Sequence, residues 1–178
     1  MSRKSAAIAA AICVSLSAAA FAQTISPSAT APVVDAVMGA AEYSYTVSYS
    51  GMRFGAALSA DSKTLYCALE APTGGWVSVG LGSLKMDGAY MVLAYDDAGA
   101  ATISEETGKG HSHRANATKK LIASSVREAA GKTTLEFAVP AAGFITGTGL
   151  KSLIAYGKKD NLTSLHSAYG AVEVPVDR

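Results

Sequence analysis

The sequence predicts an all-β protein built from two packed sheets of about ten short strands. Three observations carry that prediction. Beyond residue 41, turn signals (Gly, Asp-Gly, Ser-Gly) recur roughly every 8 to 12 residues. The runs between them are rich in Tyr, Val, Leu and Thr, which suit a pleated, half-buried surface. Some of those runs also alternate. Leu135, Phe137 and Val139 point one way and Thr134, Glu136 and Ala138 the other, and Val77, Val79 and Leu81 repeat the pattern. Each sheet therefore buries one face.

Taken in order, the chain opens with Ser2-Arg3-Lys4, an apolar stretch from Ala6 to Phe21, and the small-x-small triplet Ala20-Phe21-Ala22. Residues 1–22 read as a secretory signal peptide, since Ser15 and Ser17 interrupt the run and no basic stop-transfer flank follows it. The expected location is periplasmic or secreted, and the short Ala-rich leader favours the periplasm. No transmembrane segment is expected in the mature chain. Residues 23–41 hold Pro27, Pro32, small side chains and no sustained period, as expected of a flexible linker or arm. Residues 42–178 then form one domain, large enough to bury a core without staples. Its strands are expected at 43–49, 52–59, 64–71, 76–81, 89–95, 101–105, 121–128, 133–139, 152–157 and 170–176. Asp96-Asp97-Ala98-Gly99 and Ala130-Gly131 read as hairpin turns, so the paired aspartates are turn formers rather than catalytic carboxylates.

Charge and cysteine content exclude several functions. The formal charge is +1, and it becomes −1 once Arg3 and Lys4 leave with the leader. No basic run remains to track a phosphate backbone, so nucleic acid is not a partner. Cys13 lies in the leader, and Ile12 before it is too bulky for lipoprotein processing. Cys67 then stands alone, and alternation with Leu65 and Leu69 makes it a buried, inert thiol. Nucleophile elbow, phosphate-binding loop, His-Glu-x-x-His helix and Cys-x-x-Cys-His are all absent, so no enzyme is predicted and covalent haem attachment is excluded. What remains is a small set of soft and imidazole donors: Met86, His111, His113 and His166.

Three stretches resemble the DOMON domains, secreted β-sandwich modules that include the haem-carrying cytochrome domain of cellobiose dehydrogenase. The first is Gly75-Trp76-Val77-Ser78-Val79-Gly80-Leu81-Gly82 leading to Met86-Asp87-Gly88-Ala89-Tyr90-Met91-Val92. It is similar to the family's Trp-bearing strand, its Met loop and the following strand. The second is Gly131-Lys132-Thr133-Thr134-Leu135-Glu136-Phe137 with Pro140, and the third runs from Ile154-Ala155-Tyr156-Gly157 through His166-Ser167 to Gly170. The resemblance implies a two-sheet immunoglobulin-like β-sandwich holding a non-covalent b-type haem, with Met86 and His166 as axial ligands and Trp76 and Tyr90 against the cofactor. Met/His ligation fills both axial positions, which suits an electron carrier rather than an oxygen activator. A redox partner protein is then expected, with a membrane b-type cytochrome one candidate. Leu162 and Leu165 suggest that the His166 loop folds onto something apolar, while Lys85 and Arg114 could meet haem propionates.

Two other readings stay open. One is a haem-free binding module for a sugar or other small ligand. The other is a copper-binding protein using His111, His113 and His166, because residues two apart in an extended segment point the same way. Gly108, Gly110 and Arg114 nevertheless make the 110–114 segment look like an exposed loop. Trp76 is core packing or a wall of the haem pocket. Asn116-Ala117-Thr118 and Asn161-Leu162-Thr163 are formal glycosylation sequons, relevant only to a eukaryotic secretory route.

Overall fold

The structure is a computed structural model that describes residues 23–147 and 149–177. The expected signal peptide, Cys13 included, lies outside the described residues. Thirteen strands and no helix are found among those residues. They are β1 (Pro27–Ser28), β2 (Tyr45–Tyr49), β3 (Met52–Ser59), β4 (Thr64–Ala71), β5 (Val77–Leu81), β6 (Tyr90–Asp97), β7 (Ala100–Lys109), β8 (Ser112–Ala115), β9 (Ala123–Ala129), β10 (Lys132–Pro140), β11 (Ile145–Thr146), β12 (Gly149–Tyr156) and β13 (Ala168–Pro175). Six form one sheet in the order β1-β3-β4-β10-β9, with β2 also beside β3. Seven form the other in the order β11-β12-β5-β6-β7-β8, with β13 also beside β12. Every named pair is antiparallel except β1 with β3.

The core forms where alternation predicted it. Leu135, Phe137 and Val139 stand opposite Leu69, Cys67 and Leu65. All six are fully buried with Val77, Val79, Leu150 and Ile154 from the facing sheet. Burial pushes the Cys67 thiol up, so it is an apolar filler rather than a nucleophile. The hairpin turns also fall as expected. Ala98 and Gly99, and again Ala130 and Gly131, take positive φ, the backbone that matches a two-residue turn to strand twist. Asp96 accepts from Gly99 N (2.9 Å) and from Glu128 N (3.0 Å), so it shapes its turn and ties it to β9.

Three strands exceed the ten expected. β1 and β11 have two residues each, too few to show a period, and polar β8 lies in the segment read as a loop. Pairing with β8 extends β7 to Lys109, beyond the expected end at Glu105.

Residues 23–41, expected as a flexible linker or arm, pack against both sheets. Ile25 is wholly buried; its N–H donates to Pro175 O (2.9 Å) and its carbonyl accepts from Asp177 N (2.8 Å). Met38 and Tyr43 cover the outer face of the six-stranded sheet over Ala57 and Ala68. Gly55 beneath them must lack a Cβ, which would lie 2.8 Å from Tyr43 Cγ. Under this cover sits Glu136, fully buried, accepting from Asp35 N (3.1 Å), Ala36 N (2.8 Å) and Tyr43 Oη (2.9 Å). Composition hid this docking because it rests on a few apolar anchors and one carboxylate, not on a periodic run.

Candidate functional site

The outer face of the seven-stranded sheet brings most of the predicted site residues into one neighbourhood. Val77, Val79 and Leu81 of β5 point into the core, so Trp76, Ser78 and Gly80 point outward. On β6, Tyr90, Val92 and Ala94 face inward, leaving Met91 and Leu93 outside. Ala89, Met91 and Leu93 form a second apolar cluster, capped by Met86, Leu153 and Leu162. Gly80 lies opposite both Met91 and Leu153. A Cβ there would come 3.3 Å from Leu153 Cβ and 3.4 Å from Ala89 Cβ, so glycine keeps this floor low.

Met86 borders the floor on the β7 side. Its carbonyl accepts from Ala89 N (3.1 Å), closing a four-residue turn whose third position, Gly88, has φ 78°. A type II turn requires positive φ there. The loop is tied to the β7–β8 hairpin by Gly88 N donating to Gly108 O (3.0 Å) and Gly110 N donating to Asp87 Oδ1 (2.8 Å).

His166 borders the floor on the β13 side, in the 157–167 loop. Trp76 pins that loop. Its indole N–H donates to Ser164 Oγ (2.9 Å), its backbone N–H to Lys159 O (3.1 Å), and its carbonyl accepts from Gly157 N (2.8 Å). Gly157 has no room for a Cβ because the indole lies on it, and Thr73 Oγ1 donates to Gly157 O (2.7 Å) from below. Trp76 is thus a buried post with a polar handle, as buried tryptophans usually are. Leu162 turns onto the floor as expected, but Leu165 is 90% exposed and does not. The His166 ring is exposed and tilts against Tyr169, centroids 4.7 Å apart. Tyr169 pairs with Ala155 and faces outward with Leu153, so His166 stands beside the same face as Met86.

Tyr90 is placed elsewhere. It faces inward at the open end of the sandwich, where a cleft of about 540 Å³ is lined by Phe144, Lys120, Thr107, Asn116 and Thr118 as well as Tyr90. Its hydroxyl donates to Glu105, which also accepts from the N–H groups of Lys120 and Leu121. Burial alone would raise the Glu105 carboxyl, but these donors together pull it below its ordinary value. Lys120 Nζ lies 5.5 Å from the Tyr90 ring centre and 4.8 Å from that of Phe144.

His111 and His113 separate. His111 is exposed in the turn, whereas His113 is on β8 with Nδ1 2.5 Å from Glu106 Oε2, both side chains largely buried. Among the described residues no three His, Cys, Asp or Glu side chains gather as a metal cluster. Lys85, Arg114, Lys158 and Lys159 are exposed. Sequence reasoning missed Gly108, Leu153 and Glu106 as neighbours of the site. No local signal marks them, because each meets the Met86 region through strand pairing.

The donor set, a thioether at one border of this apolar cluster and an imidazole at the other, has the chemistry to hold haem iron, and the cluster itself is buried beneath Met86, Leu153 and Leu162. Tested against protein-family models and curated proteins, the chain finds no match. Solved structures do match. The cytochrome b domain of pyranose dehydrogenase from Coprinopsis cinerea aligns over 70% of this chain and 76% of its own, at TM-score 0.58 and 15% identity. The cytochrome domain of Myriococcum thermophilum cellobiose dehydrogenase aligns over 75% and 81%, at TM-score 0.57 and 14% identity. What this chain shares with both is the fold, the β-sandwich of these dehydrogenase cytochrome domains.

Proposed function

We propose that the protein is an exported electron carrier with one non-covalent b-type haem on the outer face of the seven-stranded sheet, held by Met86 and His166. The observation that carries this reading is the apolar floor of Ala89, Met91, Leu93 and Leu153, with a thioether loop on one side and an imidazole loop on the other. When bound, the haem supplies a one-electron iron couple. The chain's own residues do the rest. Met86 offers a soft donor that favours ferrous iron, and His166 offers the stronger imidazole anchor once it turns away from Tyr169. The floor excludes water from the group, and Trp76 fixes the loop that carries His166. With Met86 and His166 both holding the group, the protein would turn over no substrate; it would take electrons from a donor such as a membrane b-type cytochrome and pass them to another protein.

The optical spectrum of the purified protein, oxidised and dithionite-reduced, tests this. Expected are sharp α and β bands on reduction and no change with carbon monoxide. His166→Ala should lose most of the haem. Met86→Ala should keep much of it in a high-spin form that binds carbon monoxide, and His111→Ala and His113→Ala should leave the spectrum unchanged. Protein that stays colourless with ample haem and resists reconstitution refutes the reading. A small-ligand module would then be sought at the cleft of Tyr90, Phe144 and Lys120, whose rim carries the hydroxyl and amide groups of Thr107, Thr118 and Asn116.

A further inference from the structure

Glycine at position 108 has a specific neighbour. A Cβ built there would overlap the Met86 carbonyl oxygen and lie 2.6 Å from Met86 C and 2.9 Å from Met86 Cγ. Two of these atoms are backbone, so no rotamer change relieves the conflict; the Met86 turn itself would have to lift. Gly108 is also the residue on which that turn is stitched. Its N–H donates to Ala89 O and its carbonyl accepts from Gly88 N, both at 3.0 Å. The bonds hold the turn down against the bare Cα, and the missing side chain provides the space.

The β7–β8 hairpin keeps Gly108 where it is. His113 pairs with Gly108 across the two strands, and His113 Nδ1 meets Glu106 on the same outward side. Asp87, next to Met86, reaches the hairpin tip through Gly110 N.

We propose that Gly108 is a positioning residue for Met86: the bare Cα seats the Met86 turn at the depth from which its thioether can reach an iron on the floor. This rests on the haem reading above and adds to it the residue that sets the thioether bond. Any side chain at position 108 should lift the turn and lengthen or break that bond, leaving the His166 side untouched.

The test uses haem-loaded full-length protein in four forms: wild type, Gly108→Ala, Met86→Ala and the double variant. Gly108→Ala should keep haem at near wild-type stoichiometry. It should lose the near-infrared sulfur-to-iron charge-transfer band, gain carbon monoxide binding in the ferrous state, and shift its reduction potential in the same direction as Met86→Ala. In the double variant, Gly108→Ala should add nothing to the spectrum or potential of Met86→Ala, because the residue acts only through Met86. Asp87→Ala, which removes the Gly110 bond without adding bulk, should weaken the same band in part and serves if Gly108→Ala folds poorly. A Gly108→Ala or Asp87→Ala protein with the wild-type band, potential and indifference to carbon monoxide overturns the proposal. So does a double variant in which the two effects add. Wild-type protein that takes up no haem refutes the electron-carrier reading instead, and the two failures are distinguishable at the first spectrum.

Discussion

Two buried carboxylates shift in opposite directions although each accepts from one tyrosine and two backbone N–H groups. Burial dominates at Glu136 and lifts its carboxyl above the ordinary value, although Tyr43, Asp35 and Ala36 donate to it. Folding therefore favours its protonated form, and stability falls as pH rises from the ordinary carboxylate value through the raised one. At Glu105 the donors Tyr90, Lys120 and Leu121 outweigh burial, so its contribution is present at neutral pH and lost as pH falls through the lowered value. We predict that Glu136→Gln, which can still accept from the two backbone N–H groups, gains on wild type as pH rises through that window. Glu105→Gln should lose to wild type at neutral pH, with the gap closing in acid. Urea midpoints measured across pH distinguish the two, and parallel curves for both variants would contradict the assignment. Neither carboxylate was legible in the sequence. Glu136 sits on the polar side of an alternating strand, and only the arm folded across it turns that side into an interior.

At the scale of elements, the alternating strands were readable and the irregular ones were not. β5 and β10 declared their inward faces through Val77, Val79, Leu81, Leu135, Phe137 and Val139 because period-two patterning is local. The arm was not readable, since Ile25 is a lone large apolar residue among Thr, Ser and Pro and the Val33–Met38 stretch shows no sustained period. β8 gave no signal either; a four-residue polar edge strand owes its existence to its partner. The Met86 and His166 loops were singled out from a motif likeness, but the apolar cluster between them depends on which strands are neighbours, and neighbour order is a long-range property. The arm gives the element-scale prediction. Ile25→Ala removes a fully buried side chain between the sheets and should cost about 2–5 kcal/mol of unfolding free energy, read from urea or thermal melts. A loss near zero would mean that the arm is only laid on the surface.

For the molecule as a whole, weak steering follows from charge. With residues 1–22 removed the formal charge is −1, so association with a redox partner should depend on a local patch and vary only modestly with ionic strength. Lys85 beside Met86, and Lys158 and Lys159 in the His166 loop, are exposed around the proposed haem site. Charge reversal at all three should slow electron transfer to an acidic partner in stopped-flow measurements at low salt, and unchanged rates would remove the patch. The arm also has a temporal consequence. Ile25 finds its backbone partners at Pro175 and Asp177, about as far along the described chain as it extends, while Pro27 and Ser28 pair with Leu58 and Ser59 of the other sheet. The first described segment therefore cannot finish docking until the last strand exists. Loop closure over that separation gains nothing until it is complete, which places the protein among the slow, high-contact-order folders. A chain emerging vectorially stays open along this seam until the segment around Pro175 and Asp177 arrives, which would keep it unfolded during the export proposed above.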